Sequence, residues 1–290
     1  MSHSLPMVDN KTILTSTEGF LSGYTHTVNL HQGCSFAGSL CGHYCYAQHN
    51  VFVTKGRDWA LYGSKANVRE PYRRQYDALK RPRRGEPRPL RIYMCSSTDP
   101  YVPQEAALRH VPELLDEMLT RPPDVLVIQT RNPLVLRDAD LIRELSGRCE
   151  VWLSVTVETD MERVPGLPPH ATSPRKRVET LLAFKGRGVR TQATVSPLLP
   201  IADPERFARD LGEACDRVVL DHYLLGDGSP GGLRTKRTDF PRLLEEAGFG
   251  DWNRTEKLWE VKAAFDRALG QARVLVSAEG FNRVGGLGAV

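Results

Sequence analysis

Three cysteines fall within twelve residues of the segment GCSFAGSLCGHYCYAQH (33–49): Cys34, Cys41 and Cys45, the last with Tyr44 and Tyr46 on either side. Thiolates this close together suit one metal centre and leave it a ligand short. A structural zinc ion takes four protein ligands in a tetrahedron, and an ordinary iron–sulfur cluster takes four cysteines. A [4Fe–4S] cluster held by three keeps one iron open to a small molecule, an arrangement that belongs to an enzyme rather than a structural clip. Zinc stays open as the alternative, because His31, His43 and His49 are each near enough in sequence to supply a fourth ligand.

The elements that must position these thiols follow from the rhythm of the chain. From Tyr24 onward, short β-branched runs alternate with longer amphipathic stretches. Strands are expected over 25–30, 90–95, 125–130, 151–157, 188–195 and 217–220, and helices over 104–119, 136–145, 174–185 and 204–214. Strands separated by single helices imply right-handed crossovers and a parallel sheet. Six such units predict an α/β fold, a (β/α)6 barrel, complete or partial, whose chemistry sits at the carboxyl ends of the strands. An open doubly wound sheet is the other arrangement, but the first strand lacks the glycine-rich phosphate turn of dinucleotide binders. The division expected is a polar lead-in over 1–23 with little core of its own, the barrel over 24–222, and a C-terminal extension over 223–290. That extension carries the glycine-rich loop 226–232, a helix over 255–269 and a late strand over 274–277.

Composition narrows the classes. The 290 residues are 40% hydrophobic and 26% charged, ordinary for a soluble globular protein. A formal net charge of +4 is a weak argument for nucleic acid. Six cysteines in this length make no disulfide framework, and Cys95, Cys149 and Cys215 are dispersed as small buried hydrophobes are. No signal peptide is expected, and no apolar run approaches the roughly 18–20 residues that span a bilayer, so the expectation is a cytoplasmic protein with no membrane partner. The stretch KRPRRGEPRP (80–89) reads as an exposed linker. Its Lys80, Arg81, Arg83, Arg84 and Arg88, with Arg73 and Arg74, could follow a phosphate backbone or form a solvated loop.

Several phrases occur in a telling order: HYCYA at 43–47, CSSTDPYVPQE at 95–105, QTRNPLVLRDADL at 129–141, VWLSVTVETD at 151–160, SPRKRVETL at 173–181 and SPLLP at 196–200. Together, over about 33–227, they resemble the spore photoproduct lyase-like group of the radical S-adenosylmethionine superfamily, often labelled DNA-repair photolyases. The resemblance implies a partial (β/α)6 radical SAM barrel with a [4Fe–4S] cluster at its mouth, held by Cys34, Cys41 and Cys45. S-adenosyl-L-methionine would chelate the open iron, and its one-electron cleavage would give a 5′-deoxyadenosyl radical that abstracts hydrogen from substrate. The implied partners are an electron donor such as a flavodoxin or ferredoxin, and nucleic acid, since lesion reversal is the group's common label.

The resemblance also assigns residues. Tyr44 lies where the group places an aromatic ring against adenine, and Tyr46 where a tyrosine takes part in radical return. Ser97, Thr98 and Asp99 would receive the cofactor's amino group or ribose, or else form an Asp-Pro turn that caps the next helix. Arg131 would grip the cofactor carboxylate with two hydrogen bonds, or make a surface ion pair. Ser154 and Thr156 alternate on one strand face, toward the ribose or within a polar core layer. The Asp221–His222 pair would approach the substrate or be a buried hydrogen-bonded pair. The cysteine spacing departs from the group's usual three and then two intervening residues; here six and then three intervene. A flexible loop absorbs such additions at about 0.6 kcal/mol per doubling of length. Cys95 stands four residues before Asp99, one more than the group's hydrogen-donating cysteine, so it is expected to pack rather than react. The competing reading of the whole chain is a non-catalytic zinc or iron–sulfur module on a barrel that contacts nucleic acid.

Overall fold

A computed structural model describes residues 5–81 and 89–284. Arg83, Arg84 and Arg88 of the basic stretch lie outside the described residues. Six strands lie side by side in chain order, each parallel to the next: β1 (His26–Val28), β2 (Arg91–Met94), β3 (Val125–Thr130), β4 (Glu150–Thr156), β5 (Arg190–Val195) and β6 (Arg217–Leu220). A seventh, β7 (Val274–Val276), adds parallel to β6 with Val274 opposite Val218. The late strand of the expected extension is therefore part of the barrel sheet. At the other edge Leu14–Ser16 pairs antiparallel with β1, and Ile13 and Leu14 are buried. The lead-in thus carries core after all, held by Gln75, whose amide oxygen accepts from both Ile13 N and Leu14 N. The two edge strands do not pair with each other, so the barrel is open.

The short α1 (Leu40–Tyr44) lies in the cysteine loop. The outer face of the sheet is covered by the longer helices α2 (Arg69–Lys80), α3 (His110–Thr120), α4 (Ala139–Ser146), α5 (Pro174–Lys185), α6 (Pro204–Ala214) and α7 (Glu256–Leu269). Two of them start where the sequence signals a start. Ser173 and Asp203 each accept a hydrogen bond from a first-turn N–H, and proline, which has no N–H to satisfy, follows each. The helix expected over 104–119 is broken by Arg109, whose φ of 58° is left-handed, into Glu105–Leu108 and α3.

Alternation along each strand produces two cores. Outward residues such as Ile92, Met94, Leu126, Ile128 and Leu153 join the helices in the main core. Inward residues Tyr93, Val125, Val127 and Val219 join Tyr24, Leu275, Phe281 and Val284 in a smaller one. Each fully buried large apolar side chain contributes about 1.5–3 kcal/mol. The open side of the barrel is covered without strand pairing. Tyr24 donates its hydroxyl to Phe281 O, Gly23 N donates to Asn282 Oδ1, Asn282 Nδ2 donates to Phe20 O, and the Phe20 and Phe281 rings stand 5.5 Å apart. Among the described residues no helix is long and apolar enough to cross a membrane.

Candidate functional site

The carboxyl ends of the strands surround a cavity of about 460 Å³. Its wall includes all three clustered cysteines, Cys34, Cys41 and Cys45. The extra residues are taken up by a 3-10 turn, Ser35–Gly38, that runs into α1. Phe36, Leu40 and Tyr44 are buried and anchor the loop apolarly, and Leu40 N donates to Pro169 O. Gly42 is required between the second and third thiols, because a Cβ there would sit 1.8 Å from Ala37 O. Gln48 Nε2 clamps the loop by donating to Gly42 O and Cys45 O, and the Thr98 hydroxyl ties Gly33 O to the end of β2.

Burial pushes the Cys34 thiol up to about 11, and the charge of Cys41 adds to it. Cys45 is pushed well up, by burial first and then by Cys41 and Cys34. Burial also raises Cys41, against the lowering effect of Arg131. Three thiols that oppose one another's ionisation need a positive centre to become thiolates, which is what bound iron or zinc provides. Among the described residues no three His, Cys, Asp or Glu are gathered as donors to a single ion. The three histidines that could complete a zinc tetrahedron are not in the wall. His31 is buried between Ser64 Oγ and Pro100 O, His43 pairs with Asp239 at 2.9 Å, and His49 lies beside Arg237. Thiols are the donor type that an iron–sulfur cluster takes, and Cys34, Cys41 and Cys45 share the wall with Cys95, Asp99, Asp221 and Asp227.

The residues at the strand ends are mostly engaged with one another. Asp99 is buried and receives Thr130 Oγ1, Tyr101 N and Arg131 N at 2.7–2.8 Å, so its carboxylate braces the loop after β2. Ser97, Thr98 and Thr156 line the cavity. Ser154 does not; it lies a layer below, fully buried, accepting from Gln192. Tyr44 stands edge-on to Phe240 with its ring in the wall, and its hydroxyl donates to Glu158 at 2.6 Å while accepting from Arg131 Nη1. Arg131 Nη1 also bonds Glu158, whereas its Nη2 makes no hydrogen bond among the described residues. Tyr46 lines the cavity; burial, then Cys45 and Asp221, push its hydroxyl up to about 12. Cys95 is buried in the cavity wall with a left-handed φ of 66°, a strained conformation for a cysteine. His222 is buried and bonds Trp252 O rather than Asp221.

Two residues carry roles that the sequence does not assign. Glu158, fully buried after β4, binds Arg131 on one oxygen and Arg177 on the other. Burial alone would raise its pKa, but Arg177 and Arg131, with the Tyr44 hydroxyl, hold it at about 2. Gln129 on β3 builds the cavity floor: it accepts from the Tyr93 hydroxyl and donates to Thr156 and Thr194. The described part of the basic stretch faces elsewhere. Arg73 pairs with Glu117 and Lys80 with Asp124, the residue before β3, at the sheet end away from the cavity.

No family model matches the chain. It is 29% identical over 182 residues to an uncharacterised protein of Methanocaldococcus jannaschii, covering 62% of each. It is 28% identical over 180 residues to an uncharacterised protein of Acidianus two-tailed virus, covering 61% of this chain and 54% of that one. The match thus spans less than two thirds of either relative. Among solved structures, a spore photoproduct lyase double mutant with bound AdoMet and dinucleoside spore photoproduct superposes with a TM-score of 0.62 at 14% identity, over 94% of this chain and 81% of that chain. Spore photoproduct lyase complexed with dinucleoside spore photoproduct gives 0.60 at 15%, over 91% and 78%. The chain therefore has the open α/β barrel fold of that lyase.

Proposed function

We propose that this protein is a radical S-adenosylmethionine enzyme acting on nucleic acid. The observation that supports this most is three thiols from one loop on a cavity wall at the carboxyl ends of an open parallel barrel. Bound there by Cys34, Cys41 and Cys45, a [4Fe–4S] cluster supplies one-electron reductive cleavage of S-adenosylmethionine, with the electron coming from an outside donor such as a flavodoxin or ferredoxin. The chain's own residues do the positioning. Glu158 fixes Arg131, whose Nη2 is left for a carboxylate. Ser97, Thr98 and Thr156 offer hydroxyls, Tyr44 offers a ring face, and Asp99 holds the loop that carries Ser97 and Thr98. Phe20, Phe36 and Phe281 among the lining residues exclude water from the chamber. Tyr46 is the wall residue suited to moving a hydrogen atom.

The cavity mouth supports the substrate class. Phe52 is 87% exposed and Val51 69%, next to the lining residues Asn50 and Val53. Lys55 and Arg57 follow closely in the chain, and Arg234 lines the cavity itself. Cations near an exposed aromatic ring suit a phosphate backbone with unstacked bases.

The test is anaerobic reconstitution with iron and sulfide, then spectra of the reduced protein with and without S-adenosylmethionine. The expected result is about four irons per chain, a reduced-cluster signal that shifts on adding the cofactor, and release of 5′-deoxyadenosine; Cys45→Ala abolishes all three. Colourless protein holding zinc, or a cluster indifferent to the cofactor, would favour the non-catalytic module instead.

A further inference from the structure

The segment that leads from β1 into the cysteine loop is bonded to the loop after β2 at four alternate residues. The Asn29 side chain accepts from Ser97 N at 3.2 Å. His31 Nε2 meets Pro100 O at 3.3 Å. Gly33 O accepts the Thr98 hydroxyl at 2.8 Å, and the Ser35 hydroxyl donates to Gln104 Oε1 at 2.7 Å. One of the two segments contains Cys34 and the other carries Ser97 and Thr98. All three of those residues line the cavity.

His31 is the member of this series that also reaches a third segment. The ring is buried, and His31 stands opposite Ser64 in a short antiparallel pair, with Nδ1 3.0 Å from the Ser64 hydroxyl oxygen. A carbonyl oxygen can only accept, so Nε2 carries the hydrogen toward Pro100 and Nδ1 accepts from Ser64. Burial lowers the pKa of the ring to about 4, opposed by the Pro100 bond and assisted by His110 and Lys65, so the ring is neutral near pH 7. Glu105 Oε2, 3.8 Å from Nε2, is then neither an ion-pair partner nor within hydrogen-bond range. The ring does not itself line the cavity. What it holds adjoins the wall: Pro100 follows Asp99, whose carboxylate receives Thr130, Tyr101 and Arg131.

We propose that His31 is a positioning residue for S-adenosylmethionine: by donating to Pro100 O it fixes the loop that carries Ser97 and Thr98 against the segment that carries Cys34. This rests on the radical-enzyme reading above and adds to it the residue that sets the spacing between the hydroxyl contacts and the thiols. Both segments must contribute at once to bind the cofactor, so a loop that shifts loses one set of contacts. Losing one such bond costs about tenfold in affinity.

The experiment is equilibrium dialysis of radiolabelled S-adenosylmethionine against anaerobically reconstituted wild type, His31→Gln and His31→Asn, with iron per chain measured on the same samples. Glutamine can place an amide N–H where Nε2 stands, whereas asparagine reaches only the Nδ1 position beside Ser64. Both are polar and close to histidine in size, so a general effect on the fold would strike both. The expected result is wild-type iron in each variant, an affinity within about threefold of wild type for His31→Gln, and one about tenfold weaker for His31→Asn. If His31→Asn does not hold iron, His31→Phe, which keeps a planar ring and drops the bond to Pro100, is expected to show the tenfold loss in its place. Wild-type affinity in His31→Asn or His31→Phe overturns the assignment, as does an equal loss in His31→Gln and His31→Asn. Loss of iron in all three variants overturns it too, because the ring would then hold the fold rather than the cofactor. A wild type that neither binds nor cleaves S-adenosylmethionine is a different result, which removes the enzyme reading itself.

Discussion

Replacing Glu158 by Gln tests the electrostatic frame of the site. The side chain is fully buried and bridges Arg131 and Arg177, both held mostly out of solvent. Removing one member of a buried charged network costs about 3–5 kcal/mol, because the partners' desolvation is no longer offset. Proton linkage gives a second figure. The carboxyl goes from an ordinary 4.5 to about 2 on folding, which corresponds to about 3 kcal/mol. Because the folded pKa is depressed, this stabilisation is present above pH 4.5 and is lost as pH falls through that value toward 2. The assay is urea unfolding of wild type and Glu158→Gln across pH 7 to 3. With a slope of about 3 kcal/mol per molar, a 3 kcal/mol loss moves the midpoint by about 1 M at pH 7. The gap between the two proteins should then narrow below pH 4.5, as the wild type's own carboxyl takes up a proton. A midpoint within about 0.2 M of wild type at pH 7, or a gap that does not change with pH, would refute the reasoning.

Three further outcomes follow from the geometry. His43→Ala and His49→Ala should leave the iron content of reconstituted protein unchanged, since neither ring lines the cavity; loss of metal in either would restore a histidine-completed site. Gly42→Ala should lower iron per chain sharply, because the new methyl would collide with Ala37 O at 1.8 Å and force the thiols apart. Phe281→Ala, which removes a buried ring from the inner core, should cost about 3 kcal/mol in denaturant unfolding.

Much of this molecule can be read from local chemistry. The strand over 125–130 and the helices beginning at Pro174 and Pro204 match residue for residue, because their signals (a β-branched run, a capping Ser or Asp, a first-turn proline) act within a few residues. The three thiols line one cavity because they share a single loop. What escaped depends on distant partners. An arginine in SPRKR reads as solvated, yet Arg177 is 1% exposed and bonded to a carboxylate 19 residues earlier. The signal existed: Arg177, Leu181 and Phe184 share one helical face, and two of the three are plainly apolar. Ser154 and Thr156 share a strand face, but alternation does not say how deep each sits, and only Thr156 reaches the cavity. The left-handed turn at Arg109 has no glycine or asparagine to announce it.

The contacts that cover the open side of the barrel also set an order of assembly. Gly23 and Asn282 meet across 259 residues of chain. At about 5–20 residues per second of synthesis, the first waits roughly 13–50 s for the second. For that interval the nascent barrel has its cysteine loop and most of its sheet but an uncovered apolar lining, Tyr24, Tyr93 and Val127 included. Ribosome-bound chains stalled before β7 should accordingly bind an apolar dye that the finished protein excludes. Equal dye binding by both would mean that the lining closes early by another route. The helix over Ser277–Asn282 is then a late latch on the open side of the barrel.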